Sequence, residues 1–301
     1  MPPYLRRKFQ EMLTVFWVQR IPIIQHTSPA QLAATAILQA IGALESQTDT
    51  DFMVVDFCSG GGGPTPTIER MVNLERKSQG QKPIIFQLTD LKPNVGAWKT
   101  LAKQSPYLEY VSESVDATNP PHSVVHGITY DEELSSSTRP KRVFRLYNLA
   151  FHHFDDALAR KVLQSAMSTS DGFAIVEMQD RHLSSFGVFF FYFPTFFLLI
   201  ALFQPIDLGL FFFTYIIPIL PFALTFDGIV SALRTRTFEE FLALAPGKAT
   251  PVQGPEGGRR TAAIEEAGWE FEMDKVMHSW PFGYMNWIVG KKKAAGAKKA
   301  L

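Results

Sequence analysis

Met53-Val54-Val55-Asp56-Phe57-Cys58-Ser59-Gly60-Gly61-Gly62-Gly63-Pro64 carries an apolar run into an acidic residue and then into four consecutive glycines. Near-continuous apolar runs of this kind read as strands buried on both faces. Glycines directly after such a strand permit a tight turn and let a ligand approach bare backbone. Asp56, at the strand's end, is suited to pairing with a cationic group of that ligand or to fixing the loop. The glycines lead straight into a helical stretch, Thr67–Lys77, which sets them apart from a flexible linker.

The same grammar repeats downstream. Phe52–Phe57, Ile84–Leu88, Tyr110–Val111, Val143–Tyr147 and Phe173–Val176 read as strands, and Thr67–Lys77, Val95–Lys103 and Asp156–Met167 as the helices between them. Alternation of this kind predicts an α/β sheet with right-handed crossovers and a site at the carboxyl ends of the strands. Upstream, helices are expected from about Leu5 to Val18 and from Pro29 onward, with Ser28 as N-cap, as packing elements that lead into the domain. Downstream, Phe238–Leu244 and Thr261–Ala267 read as helices, and Trp269–Met277 and Met285–Val289 as closing strands around a Pro-Phe-Gly turn.

The 301 residues suffice for one large domain, and 29 basic residues balance 29 acidic ones. Without a net positive field, a dedicated nucleic-acid-binding role is not expected. A single cysteine, Cys58, excludes an intramolecular disulfide framework and a multi-cysteine zinc site, and no metal site is expected. The N-terminal stretch lacks the uninterrupted apolar core of a secretory signal.

Charge is unevenly spread: between Arg181 and Asp227 the one formally charged residue is Asp207. Phe186–Phe203 and Leu208–Phe226 each approach the ~20 residues that cross a ~30 Å hydrocarbon core. Joined by the short Gln204–Asp207 linker, they predict an antiparallel membrane hairpin, Phe186–Phe226, contacting lipid and holding half of the chain's 26 phenylalanines. A pair of buried helices in an enlarged soluble core is the alternative. Arg181 and His182 before it, Arg234 and Arg236 after it, and a lysine-rich tail favour the cytosolic face for both hairpin ends. The tail itself reads as a solvated terminus or as a contact with anionic lipid.

Taken in order, these strand ends resemble the class I S-adenosylmethionine-dependent methyltransferases. Asp56 through Gly63 is similar to that family's first motif, in which a glycine-rich loop wraps the cofactor's methionine part. Gln87-Leu88-Thr89-Asp90 ends the second strand with an acidic residue, which in that family holds the ribose hydroxyls. Glu113-Ser114-Val115-Asp116 resembles the element that contacts adenine, and Tyr147-Asn148-Leu149-Ala150-Phe151-His152-His153-Phe154 the fourth motif. Cys58 stands where the family's loop usually has its first glycine.

The resemblance implies a Rossmann-like sheet of seven mostly parallel strands flanked by helices, with the two-helix hydrophobic hairpin inserted. It divides the chain into N-terminal helices (1–50), a cofactor-binding domain (51–182 and 227–290), the hairpin (183–226) and a basic tail (291–301). The implied cofactor is S-adenosyl-L-methionine, bound by Asp56, Cys58, Ser59, Gly60, Gly61, Gly62, Asp90, Asp116 and Asn148. A nicotinamide-binding domain fits less well, because its acidic residue should follow the glycine turn by about 20 positions.

His152 and His153 follow the fourth strand, where a transferred methyl should point, and are the candidate general bases. Glu177, Asp180 and His182 lie at the next strand's exit. The expected activity is methyl transfer to a lipophilic small-molecule acceptor at a membrane. The alternative is a membrane-tethered binding or scaffold protein that keeps the fold and transfers nothing.

Overall fold

The computed structural model describes residues 2–46, 51–125, 142–189, 207–252 and 259–293. Most of Phe186–Phe203, the Gln204–Ile206 linker and the end of the basic tail lie outside the described residues.

Two helices precede the sheet, α1 (Pro3–Val18) and α2 (Pro29–Glu45). Ser28 and Gln31 form a reciprocal capping box at the start of α2, and Pro29 occupies its first turn, where a missing N–H costs nothing. The alternating unit is β1 (Phe52–Phe57), α3 (Thr65–Ser78), β2 (Ile85–Thr89), α4 (Val95–Ala102), β3 (Leu108–Tyr110) and the short α5 (His122–Val125). It continues through β4 (Arg142–Asn148), α6 (Asp156–Thr169) and β5 (Gly172–Glu177). Then follow α7 (Leu183–Gly187), α8 (Leu208–Phe211), α9 (Ile219–Arg234) and α10 (Phe238–Leu244), and finally β6 (Thr250–Val252), β7 (Arg260–Ile264), β8 (Trp269–Ser279) and β9 (Gly283–Lys292).

The described strands form one sheet in the order β3-β2-β1-β4-β5-β9-β8-β7-β6. The first five are parallel, and β9 enters antiparallel between β5 and β8. The chain leaves β1 toward β2 and β3, then returns to the other side of β1 as β4. That reversal makes the carboxyl end of β1 a topological switch point, where a crevice opens in this class of sheet. Asp56 pairs in register with Leu88 and Leu146, which brings the ends of β2 and β4 beside the glycine loop.

The sheet is covered on both faces. Trp98, Ile37 and Phe86 belong to one core, beneath α2, α3 and α4; Phe173, Phe241, Trp269 and Phe271 belong to the other, beneath α6 and α10. A third cluster joins α1 to α9 through Leu5, Met12, Leu220 and Leu224.

Three expectations need correction. The sheet has nine described strands, two more than seven. Thr261–Ala267 is not a helix: β7 pairs with β8, setting Ala262 opposite Phe271 and Ile264 opposite Trp269, and only Glu265–Ala267 turns as a 3-10 helix. The eleven-residue β8 needs a partner on that side, and this pairing overrides the helical propensity of the alanines. Beyond it, the exposed β6 carries Pro251, an imide tolerated at a sheet edge.

The third correction concerns Leu208–Phe226, which is not one straight helix. After α8 the chain widens into a π turn, Phe212–Ile216, and bends by 71° at Ile217-Pro218 before α9. Pro218 has no N–H to continue the ladder, and its ring forces the break. Among the described residues no single helix is long and apolar enough to cross a membrane, while this bent pair passes by length and composition only when taken together. Its inward residues Leu210, Leu220 and Leu224 are buried against α1.

Candidate functional site

The glycine loop is held by its own hydrogen bonds. Ser59 N–H donates to the Thr89 carbonyl at 3.0 Å, Ser59 Oγ donates to the Asp56 carbonyl at 2.8 Å, and Gly62 N–H closes a turn onto Ser59 O at 2.7 Å. Gly60 N–H donates to Asp90 Oδ2 at 2.9 Å, and Lys92 N–H to Asp90 Oδ1 at 2.8 Å. Asp90 therefore anchors the loop as well as facing it. Gly62 requires its lack of a side chain twice over, since its φ is 104° and a Cβ there would strike Leu101.

Asp56 is buried beneath this loop. Its Oδ2 accepts from Thr65 Oγ1 at 2.6 Å, and Thr65 Oγ1 accepts in turn from Asn148 Nδ2 at 3.1 Å. Asp56 Oδ1 and Asn148 Oδ1 are buried without a hydrogen-bond partner. Burial pushes the Asp56 carboxyl up to about 7, with the charge of Asp90 adding to the effect. Two orphaned acceptors on either side of one hydroxyl are an arrangement completed by a cationic hydrogen-bond donor.

A cleft of about 250 Å³ opens over these residues, lined by Cys58, Ser59, Gly60, Gly61, Asn148 and Leu149, with His153 at one end. Its roof is α1, which supplies Gln10, Leu13, Thr14 and Trp17. Cys58 holds a left-handed φ of 63°, and burial pushes its thiol up to about 12, so it stays protonated near neutral pH and packs as a loop residue. Of the cofactor residues expected from the sequence, Cys58, Ser59, Gly60, Gly61 and Asn148 line the cleft, Asp56, Gly62 and Asp90 lie behind that lining, and Asp116 lies outside it. It is exposed six positions past β3, and its Oδ1 accepts from Thr118 N–H and Thr118 Oγ1, both at 2.8 Å.

Beside the cleft is a second cavity of about 130 Å³ with mostly apolar walls, among them Phe16, Ile24, Met178, Val188, Phe189 and Leu224. Leu13, Leu149 and His153 line both spaces. Leu149 has a left-handed φ of 48°, a strained conformation for a bulky residue, held by its N–H bond to Val176 O at 2.9 Å. The residue that divides the two spaces is thus fixed by the strands beneath it.

His152 is almost fully buried and its Nδ1 lies 2.8 Å from Glu177 Oε2. Glu177 also accepts from His152 N–H at 3.2 Å and from Gln179 Nε2 at 3.2 Å. A carboxylate surrounded by donors requires the proton on Nδ1, which leaves Nε2 as the basic nitrogen. The His153 ring centroid is 4.1 Å from that of His152. Burial, and secondarily the neighbouring imidazole, hold His153 below the usual 6.5, keeping it neutral near pH 7. Arg234 donates to the His153 carbonyl at 3.3 Å, and Arg236 to the carbonyls of Phe151 and Phe154 at 3.2 and 2.7 Å, pinning the whole histidine turn.

Several of these groups escape sequence reading. α1 reads as a packing helix, and its Leu13-Phe16-Trp17 face does pack, yet what it covers is the cleft. His278 forms a directed polar chain on the cavity wall: Gln25 Nε2 donates to Ser279 Oγ at 2.7 Å, Ser279 Oγ lies 2.9 Å from His278 Nδ1, and His278 Nε2 lies 3.1 Å from Met178 O. Burial pushes His278 down to about 4, so it is a neutral structural group. Asp180 is occupied with Ser185 and Lys275, and His182 is exposed.

No family model and no curated protein matches this sequence. Among solved structures, LepI in complex with SAM is 14% identical with a TM-score of 0.45, covering 97% of this chain and 53% of LepI. This chain therefore spans about half of that protein's length. Magnesium protoporphyrin IX methyltransferase from Synechocystis PCC 6803, with bound SAH, is 9% identical with a TM-score of 0.45, covering 96% and 95% of the two chains. The methyltransferase domain of bacterial CtHen1 is 10% identical with a TM-score of 0.45, covering 88% and 98%.

Proposed function

We propose that this chain is a membrane-associated S-adenosylmethionine-dependent methyltransferase that acts on a lipophilic small molecule. The observation that carries this reading is the shared wall: a cleft lined by the glycine-loop backbone and Asn148 and a more apolar cavity meet at Leu13, Leu149 and His153. One space suits a charged nucleoside-like cofactor, the other an apolar acceptor.

The residues present fit the cofactor. The orphaned oxygens of Asp56 and Asn148 suit its ammonium group, and the backbone of Ser59, Gly60 and Gly61 lines the cleft where its methionine part would lie. Asp90 stands at the end of β2, suited to hydroxyls, although its two hydrogen bonds to the loop are an additional duty. When bound, the cofactor supplies an electrophilic methyl sulfonium. The protein aligns the acceptor, excludes water and removes a proton. His152, oriented by Glu177, is the base in this scheme, and neutral His153 forms the passage between the two spaces. The α/β domain lies on the cytosolic side, where a soluble cofactor is supplied, and the acceptor arrives from lipid.

Calorimetric titration with S-adenosylmethionine, S-adenosylhomocysteine and NAD tests the cofactor. Saturable binding of the first two alone supports the reading; binding of NAD alone overturns it. The second reading, a scaffold that binds but transfers nothing, is tested by S-adenosylhomocysteine release when membrane lipid extracts are supplied.

A further inference from the structure

We propose that α8, the π turn and α9 form a dome that inserts into one leaflet of a bilayer carrying anionic lipid, so that the outer face of α9 contacts acyl chains while its inner face walls the acceptor cavity. The inference rests on the lipophilic-acceptor reading for what the cavity holds, but its surface stands on separate observations.

The two faces of α9 differ in kind. Leu224, Asp227, Gly228 and Ser231 line the apolar cavity, at spacings that share one side of a helix. Phe222 and Phe226, on the other side, are 74% and 61% exposed and stack on each other. Leu208, Phe211 and Ile216 extend this exposed apolar surface around the bend. Large apolar side chains exposed together on one element in this way mark an interaction surface.

Charge and shape select the partner. Asp207, the acidic group at the start of the dome, is neutralised by Lys8 Nζ at 2.7 Å, accepts from Tyr4 Oη at 2.8 Å and caps α8 through Leu210 N–H at 3.0 Å. Gly209 makes this possible, because a Cβ there would collide with the Tyr4 ring hydroxyl. The Lys8 bond holds the Asp207 carboxyl well below the usual range, so the clasp persists at any physiological pH. Arg6 and Arg7, on the same helix as Lys8, are exposed; the Arg7 guanidinium lies 5.7 Å from the Tyr4 ring and 3.7 Å from Glu11, so that Arg6, Arg7 and Lys8 outnumber Glu11 and Asp207 on this face. Exposed arginines beside an apolar surface are complementary to anionic headgroups above acyl chains. The bend supports shallow insertion: the arm Leu208–Ile216 spans about 13 Å, close to half of a ~30 Å hydrocarbon core.

The test is flotation of the full chain, exchanged out of detergent, with vesicles of phosphatidylcholine alone and of phosphatidylcholine mixed with phosphatidylserine. Flotation should be stronger with phosphatidylserine and fall with added salt. The double variant Phe222→Glu with Phe226→Glu should bind at least about tenfold more weakly, since each ring loses a favourable transfer to hydrocarbon. Because both rings are exposed, the variant should keep its melting temperature and its S-adenosylhomocysteine affinity, which separates failure of this surface from failure of the cofactor reading. A fluorophore at Ile217→Cys should be quenched by bromolipids and not by an aqueous quencher trapped inside the vesicles. Undiminished flotation of the double variant, quenching from the lumen, or a lipid-free dimer that the double variant dissociates would each overturn the proposal.

Discussion

Asp56 links the glycine-loop cleft to the stability of the fold, and Asp56→Asn makes the link measurable. Burial raises this carboxyl from 3.8 to about 7. The folded protein therefore retains a proton that the unfolded chain has released across that range. By linkage, the stabilisation is complete below about pH 4 and is lost as pH rises through about 7. At 1.36 kcal/mol per pH unit, the displacement is worth about 4 kcal/mol. Asparagine does not titrate, so the assay is a difference: urea unfolding of wild type and variant at a series of values from about pH 5 to about pH 8. Wild type should lose about 3 kcal/mol relative to the variant between about pH 5 and about pH 7, and little more above it. Saturating S-adenosylhomocysteine should return most of the loss in the wild type, because an ammonium beside Asp56 Oδ1 stabilises the ionised form. A pH-independent difference between the two proteins would refute the reasoning.

Other substitutions probe the remaining parts. Glu177→Gln removes the charge-assisted bond that orients His152 and should lower kcat about 10²-fold with little change in S-adenosylhomocysteine affinity; a change within about threefold would remove the dyad from the mechanism. Asp90→Ala should weaken cofactor binding and also loosen the glycine loop, seen as faster amide exchange at Gly60, whereas equal exchange would show that Asp90 serves the ligand alone. Gly62→Ala should destabilise by about 1–3 kcal/mol in thermal unfolding, since it combines a positive φ with a collision at Leu101; Gly63→Ala, which meets open space, should cost less, and the reverse order would refute the steric argument.

How far the sequence could be read depends on whether the interactions are local. The strand β1, the loop after it, the Ser28 cap and the five parallel strands follow from apolar runs, glycines and capping residues adjacent in the chain. Asn148 and the two histidines were legible for the same reason, as the residues that follow a buried strand. β7 was not, because Thr261–Ile264 becomes a strand only through its partner β8. The bend at Pro218 was legible as a proline and not as a 71° turn, since its direction is set by packing of Leu220 and Leu224 on α1. The Tyr4–Lys8–Asp207 clasp and the Gln25–Ser279–His278 chain join residues roughly 200 or more positions apart. No local pattern encodes such contacts.

Binding of S-adenosylmethionine in the glycine-loop cleft is open to a direct test. Isothermal titration of the protein with S-adenosylhomocysteine, run in parallel with NAD, addresses it without needing to know the acceptor. The expected result is saturable one-site binding of S-adenosylhomocysteine that weakens as pH falls below about 7, as Asp56 takes up its proton, and no heat from NAD. Binding of NAD in its place, or no binding of S-adenosylhomocysteine at about pH 8, would contradict it.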